Sequence, residues 1–148
     1  MLFTLLLTAA APASAAPADD RRTIVSVIEQ FFAGLGAKDT QAILATVVME
    51  GSVTSHVPDG GKIVVRTQRW QDWVKGFVAR PGKAEEKMYS PDIRVRGTMA
   101  AVWTYYDFRI DGRFSHCGID QFDMAKVEGR WRIVNVSFTR ETQGCRRR

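Results

Sequence analysis

A chain of 148 residues fits one domain, and its content of 45% hydrophobic and 25% charged residues excludes disordered and collagen-like classes. Of the formal net charge of +5, three units are Arg146, Arg147 and Arg148 at the end. The other charges alternate in sign, with no basic helix face and no aromatic-basic RNA motif, which excludes nucleic acid as a partner.

Leu2 to Ala11 form a short apolar run, and Ala13-Ser14-Ala15 follows as a small-residue cleavage pattern. The run falls short of the about 20 apolar residues that span a bilayer, so no stable membrane insertion is expected. Residues 1–16 are read as a signal peptide cleaved near Ala15/Ala16, which predicts export to the periplasm or medium. A buried N-terminal helix is the alternative. No Lys or Arg precedes Leu2, which leaves the true start codon open. Residues 17–145 make one domain, and 146–148 a basic tail, read as a solvated end or a weak contact with an anionic surface.

Within the domain, Ile24, Val27, Ile28, Phe31, Phe32 and Leu35 form the stripe of an amphipathic helix. Asp39 or Thr40 caps a second, short helix carrying Ile43, Leu44 and Val47. Asp59-Gly60-Gly61 turns between short strands at Ser52–Val57 and Lys62–Arg66. A third helix places Trp70, Trp73, Val74 and Phe77 on one face and stops at Pro81-Gly82. Antiparallel sheet follows. Pro91 marks its first strand as an edge or a bulged one, and Gly97-Thr98, Asp111-Gly112 and Glu128-Gly129 supply the turns. The order predicts an α+β domain whose sheet is a four-strand meander.

Side chains alternate along a strand, so the turns predict which residues share a face. A two-residue loop at Asp111-Gly112 sets Asp107 opposite His116, Tyr105 opposite Gly118 and Trp103 opposite Asp120. A two-residue loop at Glu128-Gly129 sets Asp120 opposite Ser137, Phe122 opposite Asn135 and Met124 opposite Ile133. One face then holds Trp103, Tyr105, Asp107, His116, Asp120, Phe122, Met124, Trp131, Ile133, Asn135 and Ser137. The other holds Val102, Tyr106, Phe108, Ile119, Val134, Val136 and Phe138. That second face is too apolar for water, and a second copy covering it predicts a symmetric homodimer.

The helix stripe, the hairpin at Val53–Val65, the Trp70–Phe77 helix, and the segments Phe114–Phe122 and Gly129–Val134 carry a resemblance. From Arg21 to Cys145 the chain resembles the nuclear-transport-factor-2-like superfamily, in its SnoaL-like or lumazine-binding-like branch. The resemblance implies a cone-shaped fold, with three N-terminal helices and a short hairpin packed on a curved antiparallel four-strand meander. It implies a cavity inside the cone, lined by the mixed aromatic and polar face. The superfamily hosts isomerases, dehydratases, cyclases and transport adaptors, so the fold does not fix an activity.

Asp107 and His116, with Cβ atoms about 4.5–5.5 Å apart if directly opposed, form a candidate proton-transfer pair, or else a cross-strand contact. Asp120, in an apolar cavity, is a candidate acid or base, or is satisfied by Ser137 and backbone donors. Trp103, Tyr105, Phe122, Trp131, Asn135 and Ser137 are expected to line the cavity, with His56 near its mouth and Trp73 at its wall. The histidines and carboxylates are too scattered for a metal site, and no cofactor-binding motif is present. Cys117 and Cys145 fit a disulfide in an oxidising compartment, worth about 3–4 kcal/mol of loop entropy, or else two free buried thiols. Three functions follow as expectations: a binding domain for a small apolar molecule, a cofactor-free isomerase or dehydratase, or a structural module.

Overall fold

A computed structural model describes residues 18–145. The expected signal peptide with its Ala15/Ala16 cleavage site, and the tail at 146–148, lie outside the described residues. The chain runs α1 (Ala18–Ala37), α2 (Thr40–Ala45), β1 (Val47–Asp59), β2 (Lys62–Arg69), α3 (Trp70–Val78), β3 (Ala84–Arg96), β4 (Met99–Ile110), β5 (Arg113–Val127) and β6 (Arg130–Thr139). The strands form one six-stranded sheet in the order β2-β1-β6-β5-β4-β3, in which only β1 and β6 pair in parallel.

This corrects the expected architecture of three N-terminal helices on a four-strand meander. The hairpin is no separate element: Val47, expected on the second helix, opens β1 opposite Ile133, and β1 runs on alongside β6 through His56 opposite Thr139. A long strand with free backbone donors completes the ladder that β6 would otherwise leave as an edge. The order of elements along the chain is the one expected, with α1 and α2 before the hairpin and α3 after it.

Helix α1 buries Ile24, Ile28, Phe31, Phe32 and Leu35, the stripe its sequence spacing dictates. Asp39 caps α2 by accepting from the Ala42 amide at 3.0 Å. Helix α3 adds Trp70, Val74 and Phe77 to the same core, over Val102, Tyr106, Phe122, Met124 and Ile133 of the concave sheet face. At the start of α1, Asp20 Oδ1 accepts from Lys126 Nζ at 2.7 Å and Trp131 Nε1 at 2.9 Å, tying the helix to the far end of the sheet. The lysine hydrogen bond, ahead of the indole one, holds the Asp20 carboxyl below its usual range. Among the described residues, no helix is long and apolar enough to cross a membrane.

Beside a register shift between Val47 and Ser52 where β1 meets β6, three irregularities among β3 to β6 decide which side chains face the core. Ile110 pairs with Arg113 across a two-residue turn, but the register then slips by one, leaving Ser115 unpaired between Arg109↔Phe114 and Phe108↔His116. Asp107 therefore lies opposite Cys117, Tyr105 opposite Ile119 and Trp103 opposite Gln121, correcting the expected pairs. A second bulge at Val134 follows the correctly placed Met124↔Ile133 pair, so that Asp120 faces Phe138 and Phe122 faces Val136. The Val134 carbonyl is taken by the Trp70 indole at 2.8 Å, which draws that residue out of the ladder. The third interrupts β3 at Ser90-Pro91, where Ser90 adopts a φ of 49°.

A one-residue slip sends every later side chain to the other face. Val102, Tyr106, Phe108, Val136 and Phe138, expected on an outer face covered by a second copy, turn inward instead. The apolar face that motivated the homodimer is thus the inner wall of the monomer. Near the end of β6, a Cβ at Gly118 would collide with the Thr139 carbonyl oxygen, so glycine lets the chains close up there. Cys117 and Cys145 are joined in a disulfide with Cα atoms 5.8 Å apart, and Cys117 also bridges Glu141 through backbone hydrogen bonds.

Candidate functional site

The concave face and the helices do not meet everywhere. Between them lies a cavity of about 370 Å³, walled by Phe31, Phe32 and Leu35 of α1, Trp73 and Phe77 of α3, and Tyr106, Phe108, Phe122, Val136 and Phe138 of the sheet. Trp73 and Phe77, one helical turn apart, stack at 5.1 Å. Phe108 and His116, cross-strand neighbours because of the Ser115 bulge, stack at 4.7 Å. The opening is basic: Arg66, Arg80 and Arg140 are exposed there, beside Lys38.

Three titratable groups face the interior. Asp120 is 2% exposed, and its Oδ2 has no hydrogen-bond partner among the described residues. Glu86 reaches the cavity from β3, within hydrogen-bond reach of Asp120. Burial pushes the Asp120 carboxyl up to about 7, and the contact with Glu86 partly offsets this. Glu86 is raised well above the ordinary carboxylate value, first by burial and then by the Asp120 charge. His116 moves the other way: burial, reinforced by Arg140 and Arg80, drops the imidazole to about 4, so it is neutral at physiological pH. Its Nδ1 lies 3.0 Å from Ser115 Oγ. The Tyr106 hydroxyl donates to the Thr139 carbonyl at 2.7 Å, and burial holds its pKa far above the usual phenol value.

A family profile described as "Putative lumazine-binding" matches residues 19–139. The chain belongs to this family. Solved structures agree at the level of the fold. A protein of unknown function with a cystatin-like fold from Nostoc punctiforme superposes with a TM-score of 0.70 at 15% identity, covering 86% of this chain and 95% of that one. A nuclear-transport-factor-2-like protein from Shewanella baltica gives 0.66 at 19% identity, covering 88% and 100%. One from Novosphingobium aromaticivorans gives 0.67 at 14% identity, covering 86% and 84%. No match was found among curated protein sequences.

In this lumazine-binding-like chain, the bulges sort the expected site residues into two groups. His116, Asp120, Phe122 and Trp73 line the cavity. Trp131 is buried in the core below it, bound to Asp20. The others lie on the convex face. Trp103 is 55% exposed, and Tyr105 sits beside Tyr89 with ring centroids 6.0 Å apart. Asp107 is buried and accepts from the Tyr89 hydroxyl at 3.1 Å, so the proposed Asp107–His116 pair does not form. Asn135 accepts from the Ser52 amide at 3.0 Å, and His56 Nε2 lies 3.2 Å from Ser137 Oγ. Sequence reasoning missed Glu86, Tyr106, Phe108, Arg80 and Arg140. Their signal is parity: Tyr106, Phe108, His116, Asp120 and Phe122 all carry even numbers, and only a bulge between the two strands puts even-numbered residues of both on one face.

Proposed function

We propose that this lumazine-binding-like domain holds a small, largely apolar molecule in its cavity. The observation that carries this is a space of about 370 Å³ walled by aromatic rings, with one unsatisfied buried polar atom, Asp120 Oδ2, facing it. Ligand sites are typically concave and mostly apolar, with a few placed polar groups that orient the guest. The family description points the same way. Export after signal-peptide cleavage belongs to the proposal, supported by a disulfide that an oxidising compartment would keep. Native mass spectrometry of protein purified from its own host is the test. Val64 of β2 also lines the cavity. A small organic adduct on the wild type, lost in the cavity-filling variant Val64→Trp, is expected, and a wild type that carries no adduct beyond its own chain mass would end the proposal.

A second reading, a cofactor-free isomerase or dehydratase, is favoured by one observation: a carboxyl at Asp120 poised near neutrality inside an apolar cavity. In that reading Asp120 carries the proton and neutral His116 orients the substrate, with no part for Asp107. Its mark is a pH–rate profile inflecting near 7 that Asp120→Asn abolishes. Turnover that survives Asp120→Asn contradicts it.

A further inference from the structure

Nothing in the fold accounts for the carboxyl pair at Glu86 and Asp120. Asp120 lies opposite Thr104 on β4 and Phe138 on β6, and Glu86 opposite Phe108. None of these neighbours serves the pair. Thr104 Oγ1 donates to backbone carbonyls of Tyr89 and Tyr105, and the Tyr106 hydroxyl is committed to Thr139. The cations of the cavity stand at its opening, where Lys38 Nζ is held by the Arg80 carbonyl at 2.8 Å and the Phe77 carbonyl at 3.4 Å. Among the described residues, neither Glu86 nor Asp120 forms an ion pair. His116, the remaining titratable group on this face, is neutral.

Two carboxyls in contact share a proton, because both cannot ionise side by side in a poorly solvated space. Such a pair carries one unbalanced negative charge whenever the second proton leaves. Buried charge without a partner is costly, and a ligand that supplies the partner binds with the energy thereby recovered. Asp120 Oδ2 already lacks a partner.

Resting on the ligand-binding proposal, the geometry points to a cation subsite between Glu86 and Asp120, which takes the protonated nitrogen of an apolar amine or amidine. The ammonium hydrogens replace the shared proton and satisfy Asp120 Oδ2. The hydrocarbon body lies along Phe108, Phe122 and the Trp73–Phe77 stack. The rim arginines face water, where screening weakens their repulsion of an entering cation.

Calorimetry with two probes of nearly equal shape, phenylbutylamine and phenylbutanol, tests this on the intact protein near neutral pH. The amine should bind at least about tenfold more tightly than the alcohol, as a charge-assisted contact does. Its binding enthalpy should depend on the buffer's ionisation enthalpy, because the displaced proton is released. Asp120→Asn or Glu86→Gln should remove the amine's preference, bringing the two probes to similar affinity and ending the dependence of the amine's enthalpy on buffer. Where a variant fails to fold, the buffer comparison on the wild type decides. An amine that binds no better than the alcohol, or that releases no proton, overturns the cation subsite and leaves the ligand-binding proposal intact. If neither probe binds, both fall.

Discussion

Asp120 and His116 share one face of β5, yet burial drives their pKa values in opposite directions. Burial favours the neutral form of each, which for the acid means keeping a proton and for the imidazole losing one. The consequences for stability are opposite too. Asp120 rises from 3.8 to about 7 on folding, so the folded state binds more protons across that window. Its contribution is fully present below the unfolded value and is lost as pH climbs through the folded one, with Glu86 acting in the same direction. His116 falls from 6.5 to about 4, so there the unfolded state binds more protons, and stability grows with pH across that range. In the wild type the two slopes oppose each other between about 4 and 6.5. Relative to the wild type, the slope of the urea midpoint against pH across that range should therefore become more positive in Asp120→Asn, where Glu86 still opposes His116, and more negative in His116→Gln. Parallel curves for the two variants would show that neither group is buried as described.

At the scale of elements, what was legible in the sequence was local, and what was missed was register. Helix α1 follows from its apolar stripe, α3 from Trp70, Val74 and Phe77, and the Asp111-Gly112 and Glu128-Gly129 turns stand where dipeptide chemistry puts them, each with a non-glycine residue at positive φ. The first pair beyond each turn is the one a two-residue loop requires. The errors begin at Ser115 and Val134, because one unpaired residue inverts every side chain beyond it. A trace of both bulges exists in the chain. Trp131 and Ile133 are odd-numbered, whereas Val136 and Phe138 are even-numbered, so β6 cannot keep all four on one face without an extra residue between them. Likewise Val102, Tyr106 and Phe108 share parity with Phe122 and Met124, which an unbroken two-residue hairpin would place on opposite faces. The parallel pairing of β1 with β6 left no such trace, since it joins segments far apart in sequence and depends on where β1 ends up after α2. The candidate site was legible in part for the same reason. Of the predicted residues, His116, Asp120, Phe122 and Trp73 line the cavity, because the even-numbered face of β5 was read correctly, whereas the slip at Ser115 turns Tyr106 and Phe108 of β4 inward in place of Tyr105 and Asp107.

At the scale of the whole molecule, the sheet is fastened at both ends and open between them. Asp20 ties the start of α1 to Lys126 and Trp131 at one end. At the other, the Cys117–Cys145 bridge closes a span of 28 residues, which loop entropy makes worth about 3–4 kcal/mol. Core packing by Phe31, Trp70 and Phe122 fills the space near the first fastening, with edge-to-face contacts at 5.7 and 6.4 Å. Toward the second, α3 stops at Val78 and the sheet runs on beyond it, which leaves the cavity with its basic opening. The central claim is that the concave, even-numbered face of β4 and β5 is the ligand-binding surface. A heteronuclear NMR titration of the labelled protein with phenylbutanol tests it residue by residue. The largest shifts should fall on Tyr106, Phe108, His116, Asp120 and Phe122, with Trp103, Asn135 and Ser137 unmoved; shifts centred on those three convex-face residues, or none anywhere, would contradict it.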